Sequence, residues 1–247
     1  MRDCQLPVGA WSIIRLMKVS VLFFAATLIC PDVWCQEGAP TVVEIVDEPH
    51  HTLLLENEAV RVFRLNLQQK EVTLPHRHQT FYAFLSLRPV TIGNEVRGRE
   101  PVFTELKAGE LHTSKGGFTV AERNISSGPA ELIVIESIKP DDGKGFSKPM
   151  GGFQLHSAAI GLLFESSVLR GYNMAIAAGG RVGTRLEEYD RLLIALSDLS
   201  LREELEGQSP SDVQMKAGEV RWVARGMTHA TTNVGSSPAA LLTLEFK

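Results

Sequence analysis

The sequence predicts an all-β protein, two tandem β-barrels or sandwiches behind an N-terminal signal peptide. Three observations lead there. Short apolar or alternating runs are bounded at close spacing by Gly, Pro, Asn and Ser. The chain repeats itself once without a gap. An apolar run near the start is too short to span a bilayer comfortably.

The N-terminal element comes first. Arg15 and Lys18 precede the apolar run Val19 to Cys30, which stops at Pro31, and Val33-Trp34-Cys35 before Gln36 offers tolerated residues for cleavage. Residues 1–36 therefore read as a signal peptide, with Met17 an alternative start; an uncleaved anchor is the rival reading. A lipoprotein anchor at Cys30 or Cys35 is a poor fit because bulky Ile29 or Trp34 precedes the cysteine. The expected location is exported, periplasmic or extracellular. All three cysteines, Cys4, Cys30 and Cys35, lie in this segment. Cleavage would leave no disulfide, thiol nucleophile or thiolate ligand. The formal net charge of −4, with no basic run, argues against nucleic acid or an anionic membrane surface as partner.

The strands follow. Val60–Leu67, Tyr82–Leu87, Phe118–Asn124 and Leu132–Ser137 are the clearest in the first copy. Phe63, Leu65 and Leu67 alternate with Arg64, Asn66 and Gln68, so one face is buried and the other wetter. Ser200-Leu201-Arg202-Glu203 looks like a helix capping box. Its counterpart Val90-Thr91-Ile92-Gly93-Asn94-Glu95-Val96 would be a poor helix, so both segments are expected to be strands.

The repeat is plainest late in each copy. Lys107-Ala108-Gly109-Glu110 falls on Lys216-Ala217-Gly218-Glu219, an offset of 109 positions. Gly117 then falls on Gly226, Asn124 on Asn233 and Pro129-Ala130 on Pro238-Ala239. A period this long marks a duplicated domain and not a solenoid. The expected domains are 41–138 and 153–247, joined by a polar, breaker-rich linker over 139–152. Gly109, Gly117, Gly218 and Gly226 read as turn glycines, with Asn124 and Asn233 capping the same turn.

Leu74-Pro75-His76-Arg77-His78 carries two histidines at i and i+2, which a strand projects to one side. The second copy has no such pair: Arg185 and Glu187 stand there. Late in the second copy, Gly226-Met227-Thr228-His229 leads to Asn233; in the first, Gly117 and Asn124 are kept but Val120 replaces the histidine.

These two motifs resemble those of the cupin superfamily, a His-x-His strand with a Glu a few residues on, then a turn of the form Pro-x-Gly-x-x-His-x-x-x-Asn. The resemblance covers both copies, from about Thr52 to the C-terminus, and implies a bicupin with a jelly-roll barrel per copy. It places any site inside a barrel mouth, where two His, a Glu and a third His would hold Fe, Mn, Ni, Cu or Zn. Neither copy keeps the full set. In the first, His76 and His78 remain, Tyr82 takes the Glu position and Val120 the late His position. In the second, Arg185, Glu187 and Arg191 replace the first motif and His229 survives. Arg cannot deprotonate to ligate a cation.

Two readings stay open for each copy. His76 and His78 hold a divalent metal in the N-terminal barrel, completed by water, Tyr82 or substrate, or they are cavity histidines that hydrogen-bond a ligand. Arg185, Arg191 and His229 form an anion pocket, or Glu187 or Asp190 neutralises the arginines and the barrel is filled. His112 is expected to be an ordinary strand residue, and His50 and His51 surface residues. The leading expectation is a small-molecule-binding or structural cupin with incomplete metal sites, its ligand a small molecule, with anions among the candidates. The alternative is a metal-dependent dioxygenase, isomerase or lyase using His76 and His78, with Tyr82 as acid or base. A structural homodimer module is the third class.

Overall fold

The computed structural model describes residues 41–138, 153–155 and 158–247. The expected signal peptide and linker lie outside the described residues. The first copy opens with β1 (Val43–Glu44), a 3-10 turn (Ile45–Asp47), β2 (His51–Glu56), β3 (Val60–Leu67) and β4 (His76–His78). It continues through β5 (Tyr82–Ser86), β6 (Val90–Val96), β7 (Val102–Leu106), β8 (Leu111–Ser114), β9 (Phe118–Asn124) and β10 (Ala130–Ser137). The second copy holds β11 (Phe153–Leu155), β12 (Ala158–Glu165), β13 (Leu169–Ile176), β14 (Arg181–Leu186) and β15 (Asp190–Ala195). It ends with β16 (Leu199–Leu205), β17 (Ser211–Met215), β18 (Val220–Val223), β19 (Thr228–Asn233) and β20 (Ala239–Phe246).

The repeat offset predicts the strand ends closely. Val60 and Leu67 bound β3 as their counterparts Leu169 and Ile176 bound β13, and the same shift carries β6 onto β16, β8 onto β18 and β10 onto β20. The capping-box segment at Ser200 is strand, because β16 is held on both sides, by β17 and β19. Ladder pairing there overrides local propensity.

Each copy folds as two facing sheets. In the first they run β1-β4-β9-β6-β7 and β2-β3-β10-β5-β8; in the second, β11-β12-β13-β20-β15-β18 and β14-β19-β16-β17. The fold is a double jelly roll, one per copy.

Strand alternation divides the core into three parts. Phe63, Leu65, Leu67, Leu132 and Val134 fill the first barrel. Tyr172, Met174, Ile176, Leu199 and Leu241 fill the second. The opposite faces of the same strands meet between the barrels, where Val60, Val62, Ile133 and Ile135 pack in one cluster with Leu169, Leu192, Leu242 and Leu244. The central sheets are thus apolar on both sides, and burial of each such side chain contributes roughly 1.5–3 kcal/mol. The contact repeats with the duplication. A Cβ on Gly218 would meet Leu87 at 2.6 Å, and its φ of +82° also favours glycine; a Cβ on Gly109 would meet Leu196, the counterpart of Leu87, at 3.8 Å.

One turn positions the site. Gly117, at φ +79°, donates its N–H to the carbonyl of His78 at 2.7 Å. Gly226, at φ +83°, does the same to Glu187 at 2.8 Å. A positive φ is open to glycine at no steric cost, so the later motif's glycine pins the strand that carries the earlier one. Downstream, Asn124 donates to the carbonyls of Leu67, Gln68 and Gly128, and its Oδ1 accepts from Ser126 N–H. Asn233 repeats this with Ile176, Ala177, Ser237 and Gly235.

Candidate metal centre

β4 is short, and its alternation turns His76 and His78 inward, both fully buried, with Arg77 exposed between them. β9 pairs antiparallel with β4, His76 facing Val120. Two residues along β9, on the same face, stands Glu122. Glu122 Oε2 lies 3.4 Å from His76 Nε2, Glu122 Oε1 lies 3.8 Å from His78 Nε2, and the two Nε2 atoms are 3.3 Å apart. The ligand atoms of His76, His78 and Glu122 all lie within 4.8 Å of one another, the one such group among the described residues.

Each member is held from behind. His76 Nδ1 lies 2.9 Å from the carbonyl of Leu74. A carbonyl only accepts, so Nδ1 carries the proton and Nε2 presents its lone pair inward. His78 Nδ1 faces Glu136 Oε1 at 3.7 Å. Thr73 donates its hydroxyl to Glu122 Oε2 at 3.0 Å and accepts from Glu122 N–H at 2.9 Å. Tyr82 stacks flat on His78, ring centroids 3.8 Å apart.

Burial and charge divide the protons. Burial would raise the Glu122 carboxyl, but the neighbouring imidazoles of His76, His78 and His51 bring it down to about 2. Burial pushes His76 down, against the pull of Glu122. Burial also opposes charge on His78, yet Glu122 and Glu136 together raise it above the usual imidazole value. Burial and the charges of Glu122 and Glu136 push the Tyr82 phenol well up, so it keeps its proton at neutral pH. A small cavity of about 20 Å³ lies beside Glu122, walled by Tyr82, Asn94, Leu65, Phe84, Ile92, Leu132 and Val134.

Sequence reasoning missed Glu122. The family motif expects the carboxylate shortly after the His pair, where Tyr82 stands, whereas this chain supplies it from β9, two positions past the missing histidine at Val120. The readable signal was an acidic residue in the inward phase of a strand, between Val120 and Asn124. His51 is a second correction: it is buried, not at the surface, because its Nδ1 meets the buried Glu48 carboxylate at 2.7 Å. His50 is half-buried on the same carboxylate, and His112 pairs with Glu110 on β8, away from the site.

The second barrel brings Arg185, Glu187, Arg191 and His229 together, with Glu187 at the centre. Its carboxylate accepts from Arg185 Nε at 2.8 Å, pairs with Arg191 Nε at 2.9 Å and lies 2.8 Å from His229 Nε2. Arg191 Nη2 is 3.2 Å from His229 Nε2. Arg191 is only 2% exposed, so its charge depends on that carboxylate. Burial would raise the Glu187 carboxyl; His229 and both arginines hold it below the usual range.

No protein-family model and no curated protein matches the sequence. Solved structures do match in fold. AerE from Microcystis aeruginosa aligns at TM-score 0.58 and 12% identity, over 81% of this chain and 98% of that one. Oxalate decarboxylase from Lactobacillus farciminis, in complex with formate, aligns at TM-score 0.60 and 8% identity, covering 79% of this chain and 80% of its own. A Bacillus subtilis oxalate decarboxylase, studied for its Mn(II) centres, aligns at TM-score 0.58 and 10% identity, covering 82% and 76%. Together with the repeated sheets and the His-His-Glu group, these likenesses define the class: the protein is a bicupin by fold, with a side-chain group able to hold a metal in its N-terminal barrel.

Proposed function

We propose that this is an exported bicupin whose N-terminal barrel binds a divalent transition metal, Fe, Mn, Ni, Cu or Zn, through His76, His78 and Glu122. The convergence of two imidazole nitrogens and one carboxylate oxygen within 4.8 Å carries the reading. Two His and one carboxylate is a donor set that leaves positions open. A metal held there would act as a Lewis acid toward a small oxygen-donor ligand. The chain's own groups would do the rest: Thr73 orients the carboxylate, Leu74 and Glu136 orient the imidazoles, and Tyr82 and Phe84 limit the ligand to something small. The enzyme would be of the lyase, isomerase or dioxygenase kind. The cavity beside Glu122 has room for about one water-sized group as it stands. The decarboxylases of like fold are named for oxalate, and one is in complex with formate, both small carboxylates.

We further infer that the C-terminal barrel is structural, because Glu187 already occupies the place an anionic ligand would take between Arg185 and Arg191. A second reading, small-molecule binding without metal, draws support from the Glu122–His78 pair, which balances its charge with no ion. Metal content of mature protein purified without chelator decides between them. About one ion per chain, lost in the His76→Ala/His78→Ala double variant, is the expected result. No uptake after exposure to Fe(II), Mn(II), Ni(II), Cu(II) and Zn(II) would overturn the metal reading in favour of the second.

A further inference from the structure

His51 stands next to the His76, His78 and Glu122 group, on β2, outside both motifs. Its side chain is fully buried, and its ring packs edge-on against His76 with centroids 4.8 Å apart. Nδ1 is 2.7 Å from Glu48 Oε2. Nε2, on the far side of the ring from Glu48, is buried with no hydrogen-bond partner among the described residues. A buried ring nitrogen without a partner costs free energy unless something fills it.

His76 and His51 share one arrangement. Nδ1 of His76 meets the Leu74 carbonyl at 2.9 Å and Nδ1 of His51 meets Glu48 at 2.7 Å, while Nδ1 of His78 faces Glu136 at 3.7 Å, beyond hydrogen-bond reach. An oxygen behind Nδ1 fixes the tautomer that leaves the Nε2 lone pair free, the usual support of a metal-bound histidine. Glu48 also accepts from Leu74 N–H at 3.1 Å, so one buried carboxylate steadies both the His51 ring and the carbonyl behind His76. The second barrel, which keeps no His pair, keeps Glu136 as Glu245 but loses the rest: His51 falls on Ile160, Glu48 on Ser157, Thr73 on Val182 and Glu122 on Thr231.

We infer that His51 is a fourth protein ligand of the metal, taking the role of the histidine missing at Val120 from the opposite sheet. The inference rests on the metal reading above. The compact group does not include His51; to ligate, its Nε2 must come closer to that group while Nδ1 keeps the Glu48 carboxylate behind it.

Copper(II) alone, added to the mature protein, tests this by pulsed electron paramagnetic resonance, which counts coordinated imidazoles through their remote nitrogens. Three imidazoles in the wild type and two in His51→Ala, each with one bound ion, is the expected result. His51→Gln, which preserves side-chain bulk and a group to bond Glu48, should also report two, and it guards against a folding defect in the alanine variant. Two imidazoles in the wild type would overturn the fourth ligand and leave the three-residue site standing. No copper bound by the wild type would overturn both together.

Discussion

Where the first barrel holds His76, His78 and Tyr82, the second holds Arg185, Glu187 and Arg191, and all six face a barrel interior made by equivalent strands. The backbones agree down to the glycine turn and the asparagine cap; the chemistry does not. In the first barrel the buried cations are imidazoles, which can give up a proton. In the second they are guanidiniums, which cannot. A carboxylate among histidines can therefore trade protons for a metal, while a carboxylate among arginines is locked in place. The same architecture yields a site that can exchange its charge and one that cannot.

The largest expected effect tests that lock. Glu187→Ala strands Arg191 as an unpaired buried charge and should cost about 3–5 kcal/mol at any pH from 6 to 9. Glu122→Ala leaves imidazoles, which can shed their protons, and should cost metal-free protein roughly 1–3 kcal/mol. Denaturant unfolding of both variants measures the difference. Equal losses would show that the arginines find other partners. Formate or acetate should restore stability to Glu187→Ala by filling the vacated place, and should do nothing for Glu122→Ala.

The next effect falls on the first barrel alone. Thr73→Val removes the hydroxyl that orients Glu122 and should weaken metal binding about 10–100-fold, as loss of an outer partner does. The counterpart Val182 already lacks it, so the reciprocal Val182→Thr should confer no binding. Titration with Mn(II) or Zn(II) followed by calorimetry reads both.

Protons sharpen the contrast further. Glu122 and Glu136 hold the His78 pKa above 6.5 despite burial, so in metal-free protein this pairing stabilises the fold below pH 6.5 and the gain is lost as pH rises through the raised value. A metal must displace that proton. Apparent affinity should fall about tenfold per pH unit below the folded pKa and level off above it. Calorimetry in buffers of differing ionisation enthalpy should find proton release on metal binding that grows as pH falls toward 6.5. Zero release would mean His78 is already neutral.

How far the sequence could be read follows the same division. The ungapped repeat and the period-two runs were enough for strand positions and for two β-rich copies, because ladder geometry is periodic and local. His76 and His78 were visible for the same reason, sharing one strand. Glu122 and His51 were not, because each joins the site by pairing between strands distant in sequence: β9 beside β4, and β2 in the facing sheet. Long-range register leaves no mark in local spacing. The arginines of the second copy were legible as charges, and Glu187 as their neutraliser was one of two readings; only the fold puts its carboxylate between both of them.

The smallest expected difference concerns what the barrels share. Asn124 and Asn233 each donate to three carbonyls that close the turn after the site strand, with donor–acceptor distances that match to within 0.2 Å. Replacing either by Ala leaves buried carbonyls unpaired and should cost about 1–3 kcal/mol. The two losses should agree to within about 0.5 kcal/mol and should add in the double variant, since the caps have no common partner. Neither should change the number of metal ions bound, because the cap holds the turn and touches no ligand. A markedly larger loss at Asn124 than at Asn233, read by denaturant unfolding of metal-free protein, would mean that the first barrel's buried histidines and carboxylates strain its backbone in a way the second barrel's arginine knot does not.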